Sequence, residues 1–151
     1  MMGNEKIYPE ATVGAVILNP ENKVLICRSS KWNNKYVIPG GHIEAGEKME
    51  EALVREVKEE TGLEIYDIEL LGITESIYSE SFQSQKHFIF VDFICRSDST
   101  EVELNHEAQS YEWIELDEVE NYNLEEFTAD LLKELRQGKD SKYRQSIIYG
   151  L

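Results

Sequence analysis

Three glutamates in one predicted helix are the residues of this sequence whose type and spacing most clearly point to chemistry. Glu56, Glu59 and Glu60 lie within five positions of one another. With Met49 at zero on a wheel of ~100° per residue, Glu56 and Glu60 fall at roughly −20° and +20°. They therefore share the helix stripe that should face the core, and Glu59 lies at the flank of that stripe.

Carboxylates with this spacing repel one another on a helix surface, and the negative end of the helix dipole increases the repulsion. A hard divalent cation that prefers oxygen ligands, Mg²⁺ or Mn²⁺, would relieve it. A solvated acidic face or a structural charge network produces the same pattern, however. The spacing by itself therefore leaves metal binding and a structural role open.

The glutamates need a scaffold, and the pattern of apolar residues predicts one made of strands and two helices. The first helix is expected over residues 47–61, with Gly62 as its stop, and an amphipathic second helix over 124–137. Strands are expected at 11–18, 23–27, 36–38, within 65–73, at 87–95 and at 111–116. This order predicts a mixed sheet with helices packed on it, whereas the tail up to residue 151 has no clear pattern.

The overall composition bounds the class of protein and its partners. A chain of 151 residues favours one domain, residues 1–151. Thirty acidic and fifteen basic residues give a net charge of −15, which argues against nucleic acid or a membrane surface as partner. A small anionic ligand stays compatible, because a bound cation reverses the local charge. No signal peptide and no membrane-spanning apolar stretch is visible, so a cytoplasmic location is expected.

The stretch from Gly41 to Leu63 resembles the Nudix box, G-x5-E-x7-R-E-U-x-E-E-x-G-U with U apolar, at every fixed position. The chain is therefore similar to the Nudix (MutT-like) hydrolase family, and the segments WNNKYVIPGG and YEWIEL extend the likeness. The resemblance implies a Nudix fold, an α/β/α sandwich around a mixed sheet. It also implies hydrolysis of a nucleoside diphosphate linked to another group X, with Mg²⁺ or Mn²⁺ as cofactor.

The resemblance assigns roles by position. Glu56, Glu59 and Glu60 are the expected metal ligands, and the backbone carbonyl of Gly40 is expected to add an oxygen. Arg55 belongs to the catalytic set, where its expected part is to support the geometry by pairing, together with the box residue Glu47.

The general base is less well defined. It is Glu56, acting also as a ligand, or Glu107, which precedes YEWIEL where relatives often place a catalytic glutamate; Glu107 is favoured. Glu44 either joins a second metal site or is a solvated loop residue. His42, His87 and His106 are not assigned to the site.

Substrate contacts are expected from the loop after the second strand. Arg28 could grip a phosphate or pair with a surface acid, and Trp32 could stack on a ring or pack in the core or at its rim. The expected partner is a small nucleotide or nucleoside diphosphate derivative, and a homodimer stays open because relatives often form one. The competing hypothesis is a catalytically silent nucleotide-binding regulator on the same fold, which the intact box disfavours.

Overall fold

A computed structural model describes residues 5–138, which form a single sheet with helices on both faces. The strands are β1 (Glu10–Leu18), β2 (Val24–Ser29), β3 (Lys35–Val37), β4 (Gly40–His42), β5 (Tyr66–Ile77), β6 (His87–Arg96) and β7 (Ser110–Ile114). The helices are α1 (Met49–Thr61) and α2 (Glu126–Arg136), with short 3₁₀ helices at Ser30–Trp32 and Leu116–Asn121. Residues 1–4 and 139–151 of the predicted 1–151 domain lie outside the described residues.

The sheet is mixed, as predicted. Its main path runs β3-β2-β1-β6-β5, while β4 pairs with β1 and β7 pairs with β2. Only the β1–β6 pair is parallel among the strands described, and its nine-residue register makes this pair the centre of the sheet.

The first two strands separate soon after their turn, and this separation creates the site. β1 and β2 are paired at Leu18 and Val24, next to the turn. Further along, β4 replaces β2 beside β1, so that Gly40 lies opposite Gly14. The sequence predicts a strand at 36–38 and none directly after it, but Gly40 and Gly41 begin a strand of their own. Gly40 is required here, because a Cβ at this position would collide with the carbonyl oxygen of Val13.

Successive side chains of β1 point to opposite faces of the sheet, and each face packs against one of the two helices. The fold is therefore the predicted α/β/α sandwich. The face with Val13, Ala15 and Ile17 packs against Ala52, Leu53 and Val57 of α1. The opposite face of the sheet packs against α2; its core includes Val16, Val24, Ile26, Leu131 and Leu132.

Several element boundaries differ from the prediction, and the differences at α1, β5 and the last strand have a clear structural basis. α1 begins at Met49 because Lys48 is still extended (ψ 150°), and Met49, predicted at the centre of the apolar stripe, is exposed. β5 continues to Ile77, since its pairing with β6 extends to His87. The last strand ends at Ile114, and a 3₁₀ helix that the sequence did not predict follows it. Gly62 (φ 75°) ends α1, as predicted.

Within residues 5–138, we find no helix with the length and apolarity needed to cross a bilayer.

Candidate active site

Three carboxylates from two distant parts of the chain meet at the C-terminal half of α1. Glu56, Glu60 and Glu107 each place one carboxylate oxygen within 4.8 Å of the others. We call these three residues the acid cluster. Glu56 and Glu60 are one helical turn apart on the same face of α1. Glu107 comes from the loop before β7, which is fastened to the end of α1 by a hydrogen bond from the Asn105 N–H to the Glu60 carbonyl (3.3 Å).

Strand β4 runs directly beside the acid cluster. The Gly40 N–H donates to Glu60 Oε2 (3.2 Å). At Gly41, a Cβ would overlap the carboxylate of Glu56. The absence of a side chain at Gly41 is therefore what allows Glu56 to lie between the helix and the sheet. Gly40 lines the same cavity as the acid cluster. This position is compatible with the predicted metal contact of its carbonyl, which stays a prediction.

Arg55 links several acids of the box into one network. Its guanidinium donates two hydrogen bonds to Glu47 (2.7 and 2.9 Å) and one to Glu56 Oε1 (2.9 Å). It also donates to the carbonyl of His42 at the end of β4 (3.0 Å). Arg55 thus connects the loop before α1, the end of β4 and one carboxylate of the acid cluster. Paired bonds of this kind fix both the position and the orientation of a carboxylate.

Glu59 is placed differently from its two neighbours in the box. Its side chain is 55% exposed and approaches Arg55 at 3.4 Å. It lies about 100° around the helix from Glu60, so it faces the solvent side of the acid cluster. The predicted ligand set is therefore brought together only in part: Glu56 and Glu60 converge with Glu107, and Glu59 lies beside them.

The acid cluster is strained electrostatically. Burial and the charge of Glu107 raise the pKa of Glu60 to about 9. Burial also raises the pKa of Glu56, although Arg55 opposes this shift. Burial pushes the pKa of Glu107 upward, but the hydrogen bond and charge of Lys31 outweigh it, and the net shift is downward. At neutral pH, Glu107 is therefore the ionised member of the Glu60–Glu107 pair when no cation is bound.

An aromatic pocket opens from the same cavity as the acid cluster, and the cavity has a volume of ≈ 180 Å³. Trp32 is surrounded by four phenylalanine rings at centroid distances of 4.5 to 6.2 Å: Phe82, Phe88, Phe90 and Phe127. We call these five residues the aromatic pocket. The predicted binding residue Trp32 is packed among these rings with 9% of its surface exposed, and it lines the cavity together with them.

Sequence reasoning missed the other members of the aromatic pocket. Phe88 and Phe90 alternate along β6 and so had to lie on the same face, a signal that was available in the HFIF segment. Phe127 belongs to the apolar spacing of the second helix, which by itself predicts core packing. Phe82 lies in the loop between β5 and β6 without any local signal. Lys31, which pairs with Glu107 at 2.7 Å, was also missed.

Arg28 does not line the cavity, so the structure does not bring it together with the acid cluster. Cys27 and Ser29, its neighbours in β2, both line the cavity, and successive side chains of a strand point to opposite faces. Arg28 is exposed on the other face. The alternation of side chains along β2 therefore places Arg28 away from the cavity.

The other polar candidates have local partners. Glu44 is 71% exposed and lies 4.0 Å from Arg55. His42 contacts Glu10 at 2.6 Å on the rim of the cavity, and His87 contacts Glu75 at 2.7 Å.

A NUDIX domain model matches residues 9–135 of the chain. The chain belongs to the NUDIX family. It is thus a Nudix hydrolase, the enzyme class that the box predicted. Its sequence is 28% identical over 134 residues to the nucleoside triphosphatase NudI of Escherichia coli K12, covering 82% of this chain and 95% of the relative.

Solved structures of Nudix proteins share the fold. The MutT protein of Methanosarcina mazei Go1 superposes with a TM-score of 0.73 at 25% identity, covering 91% of this chain and all of the other. The Nudix domain of Shewanella oneidensis NrtR, solved with ADP ribose, gives a TM-score of 0.73 at 19% identity, covering 88% and 90%. At 19% identity, the likeness to the NrtR domain shows only that the two share a fold. Together they confirm the predicted fold class.

Proposed function

We propose that this Nudix hydrolase is a metal-dependent pyrophosphohydrolase that cleaves the diphosphate linkage of a nucleoside diphosphate joined to a group X. One observation carries the proposal: the acid cluster and the aromatic pocket open into the same cavity. The acids are suited to a metal-bound diphosphate, and the pocket is suited to the ring of a nucleoside. Lys31, which pairs with Glu107 of the acid cluster, is adjacent in sequence to Trp32 of the aromatic pocket.

The donor set fits a hard divalent cation. Oxygen ligands are what Mg²⁺ and Mn²⁺ prefer, and the acid cluster supplies carboxylate oxygens without any histidine or cysteine ligand among the described residues. The raised pKa of Glu60 supports this fit, since a cation would favour the ionised form of Glu60, which burial and the neighbouring carboxylates disfavour. Glu56 and Glu60 would hold the ion, with the Gly40 carbonyl and Glu59 as further candidates. When bound, the ion would neutralise phosphate charge and acidify a water molecule.

Substrate binding, proton transfer and positioning would be carried out by separate residues of the chain. Trp32 and its phenylalanine neighbours bind the ring and so place the diphosphate over the acids. Glu107, ionised at neutral pH, takes a proton from the attacking water. The water oxygen forms a bond to one phosphorus while the bridging P–O bond on the opposite side breaks, which releases two phosphate-bearing products. Arg55 keeps the Glu56 carboxylate in position throughout.

The aromatic pocket favours substrates that carry a flat ring. The likeness to a nucleoside triphosphatase puts nucleoside triphosphates first among the candidates, followed by dinucleoside polyphosphates, nucleotide sugars and ADP-ribose. The cytoplasmic location, the homodimer and the lack of nucleic-acid or membrane partners stay predictions from the sequence.

A substrate panel with Mg²⁺ and with Mn²⁺ tests the proposal, with the products identified by mass. We expect cleavage of a phosphoric anhydride in at least one nucleotide, its loss in Glu60→Gln, and its retention in Glu50→Gln, which changes an exposed acid of the same helix. Tight nucleotide binding without turnover by the wild type would instead favour the silent regulator.

A further inference from the structure

Lys31 connects the two halves of the cavity. Its ammonium pairs with Glu107 Oε1 at 2.7 Å, across 76 positions of sequence. Within residues 5–138, it is the only lysine or arginine that lines the cavity. Its neighbour Trp32 belongs to the aromatic pocket. The single 3₁₀ turn Ser30–Trp32 therefore carries both the ammonium that pairs with Glu107 and one ring of the aromatic pocket.

Glu107 needs a counter-charge to stay where it is. Its carboxylate lies within 4.8 Å of those of Glu56 and Glu60, and each of these repels it strongly in a half-buried site whenever it is ionised. Its other side-chain partners carry no positive charge: the Asn105 amide donates at the longer distance of 3.4 Å, and Glu60 donates only in its protonated form. The Lys31 ammonium is thus the contact that offsets the repulsion and keeps the Glu107 carboxylate turned toward Glu56 and Glu60.

The backbone that carries Lys31 is held independently of its ammonium. The Lys31 carbonyl accepts a hydrogen bond from the Gln83 N–H (2.8 Å) in the loop between β5 and β6. In the same loop, Phe82 packs on Trp32 at 4.5 Å. The turn is therefore fixed from two sides, and removing the ammonium should leave the aromatic pocket in place.

We propose that Lys31 is a positioning residue for hydrolysis, which holds Glu107 over the reacting centre from the same turn that presents Trp32 to the substrate ring. The inference rests on the proposed function for its kinetic consequence. It assigns Lys31 a role in the chemical step through Glu107, and it separates this role from substrate binding, which belongs to the aromatic pocket.

A direct phosphate contact is the competing use of a lysine in such a cavity, and kinetics separate the two. A residue that binds the substrate equally in the ground and transition states changes KM, whereas one that positions a catalytic group changes kcat. Misplacement of such a group by about 1 Å lowers the rate on the order of 100-fold. Lys31→Met keeps the length and apolar stem of the side chain and removes the charge.

Steady-state kinetics with Mn²⁺ and the best nucleotide of the substrate panel provide the first test. We expect Lys31→Met to lower kcat by about 10- to 100-fold with KM within about twofold, and Lys31→Arg to restore most of kcat. Lys23→Met, at the opposite end of β2, is the matched charge control and should behave as wild type. A raised KM with unchanged kcat, or kinetics equal to those of Lys23→Met, overturns the proposal.

Metal-free crystal structures of wild type and Lys31→Met provide a second test that does not depend on activity. We expect Glu107 beside Glu56 and Glu60 in the wild type and turned away from them in the variant, with Trp32 unmoved. An unmoved Glu107 in the variant overturns the positioning role. Lack of turnover by the wild type on every nucleotide would refute the proposed function, and the crystal comparison would still decide the role of Lys31.

Discussion

Replacing Glu60 with glutamine should stabilise the metal-free protein while removing its activity. The substitution changes little in shape. The glutamine amide oxygen can still accept the Gly40 N–H, which bonds Glu60 Oε2 at 3.2 Å. The amide nitrogen can donate to Glu107, which the carboxylate form of Glu60 repels. The perturbation therefore removes one ionisable group from the acid cluster and leaves its packing intact.

The size of the effect follows from the shifted pKa. Burial and the charge of Glu107 move the pKa of Glu60 from 4.5 in the unfolded chain to about 9 in the folded protein. At pH 8, about 3.5 units above the unfolded value, keeping this group protonated costs up to about 5 kcal/mol, at ~1.4 kcal/mol per unit. Water entering the open cavity reduces this cost. We therefore expect Glu60→Gln to raise the free energy of unfolding by about 1 to 3 kcal/mol at pH 8.

The pH dependence gives the sharper test. Because the folded pKa of Glu60 lies above the unfolded one, the stability linked to this group is fully present below about 4.5 and is lost as the pH rises toward about 9. The advantage of Glu60→Gln should thus be small at pH 5 and large at pH 8. Urea denaturation in EDTA measures it, with Glu50→Gln as the exposed control. An advantage that is equal at both pH values, or a less stable variant at pH 8, would refute the reasoning.

Three further substitutions test separate parts of the site, two by steady-state kinetics and one by metal-binding calorimetry. Glu107→Gln should lower kcat by about 10²- to 10⁴-fold with little change in KM; an undiminished kcat would remove Glu107 from the mechanism. Gly41→Ala should weaken Mn²⁺ binding, measured by calorimetry, because its Cβ would displace the Glu56 carboxylate; wild-type affinity would contradict this contact. Trp32→Leu should raise KM for nucleotides about tenfold or more, since one stacking contact contributes about 1 to 3 kcal/mol; an unchanged KM would exclude a ring in the aromatic pocket.

Much of the fold could be predicted because its signals are local. A helical wheel with Met49 at zero places Ala52, Leu53 and Val57 on the core side and Val54 outside it, and the structure agrees. Gly62 ends α1 because an αL residue is needed there. The wheel failed at Met49, the first residue of α1, which is 47% exposed although Ala52, in the same turn, is fully buried. Amphipathic spacing predicts the face of a helix but not the length of helix that the sheet covers.

The site could be predicted only where one segment contains it. Glu56 and Glu60 share a helix face, so spacing found them. The contact between Lys31 and Glu107 joins residues 76 positions apart, and no local pattern encodes it. The aromatic pocket is even harder to predict from sequence, because its rings come from the turn after β2, the β5–β6 loop, β6 and α2. Such contacts depend on how β1 and β2 separate, which follows from pairing across the whole sheet.

The division of α1 into an apolar and an acidic part explains how the fold tolerates an unfavourable cluster of charges. Leu53 and Val57 are fully buried, and each such side chain contributes about 1.5 to 3 kcal/mol to folding. Leu63, 2% exposed, packs into the same core just beyond the helix end. These contacts hold the last turn of α1 against the sheet although Glu60, within that turn, opposes it. The helix can therefore present paired carboxylates to a cavity before any cation arrives, so cation binding needs little rearrangement of the backbone.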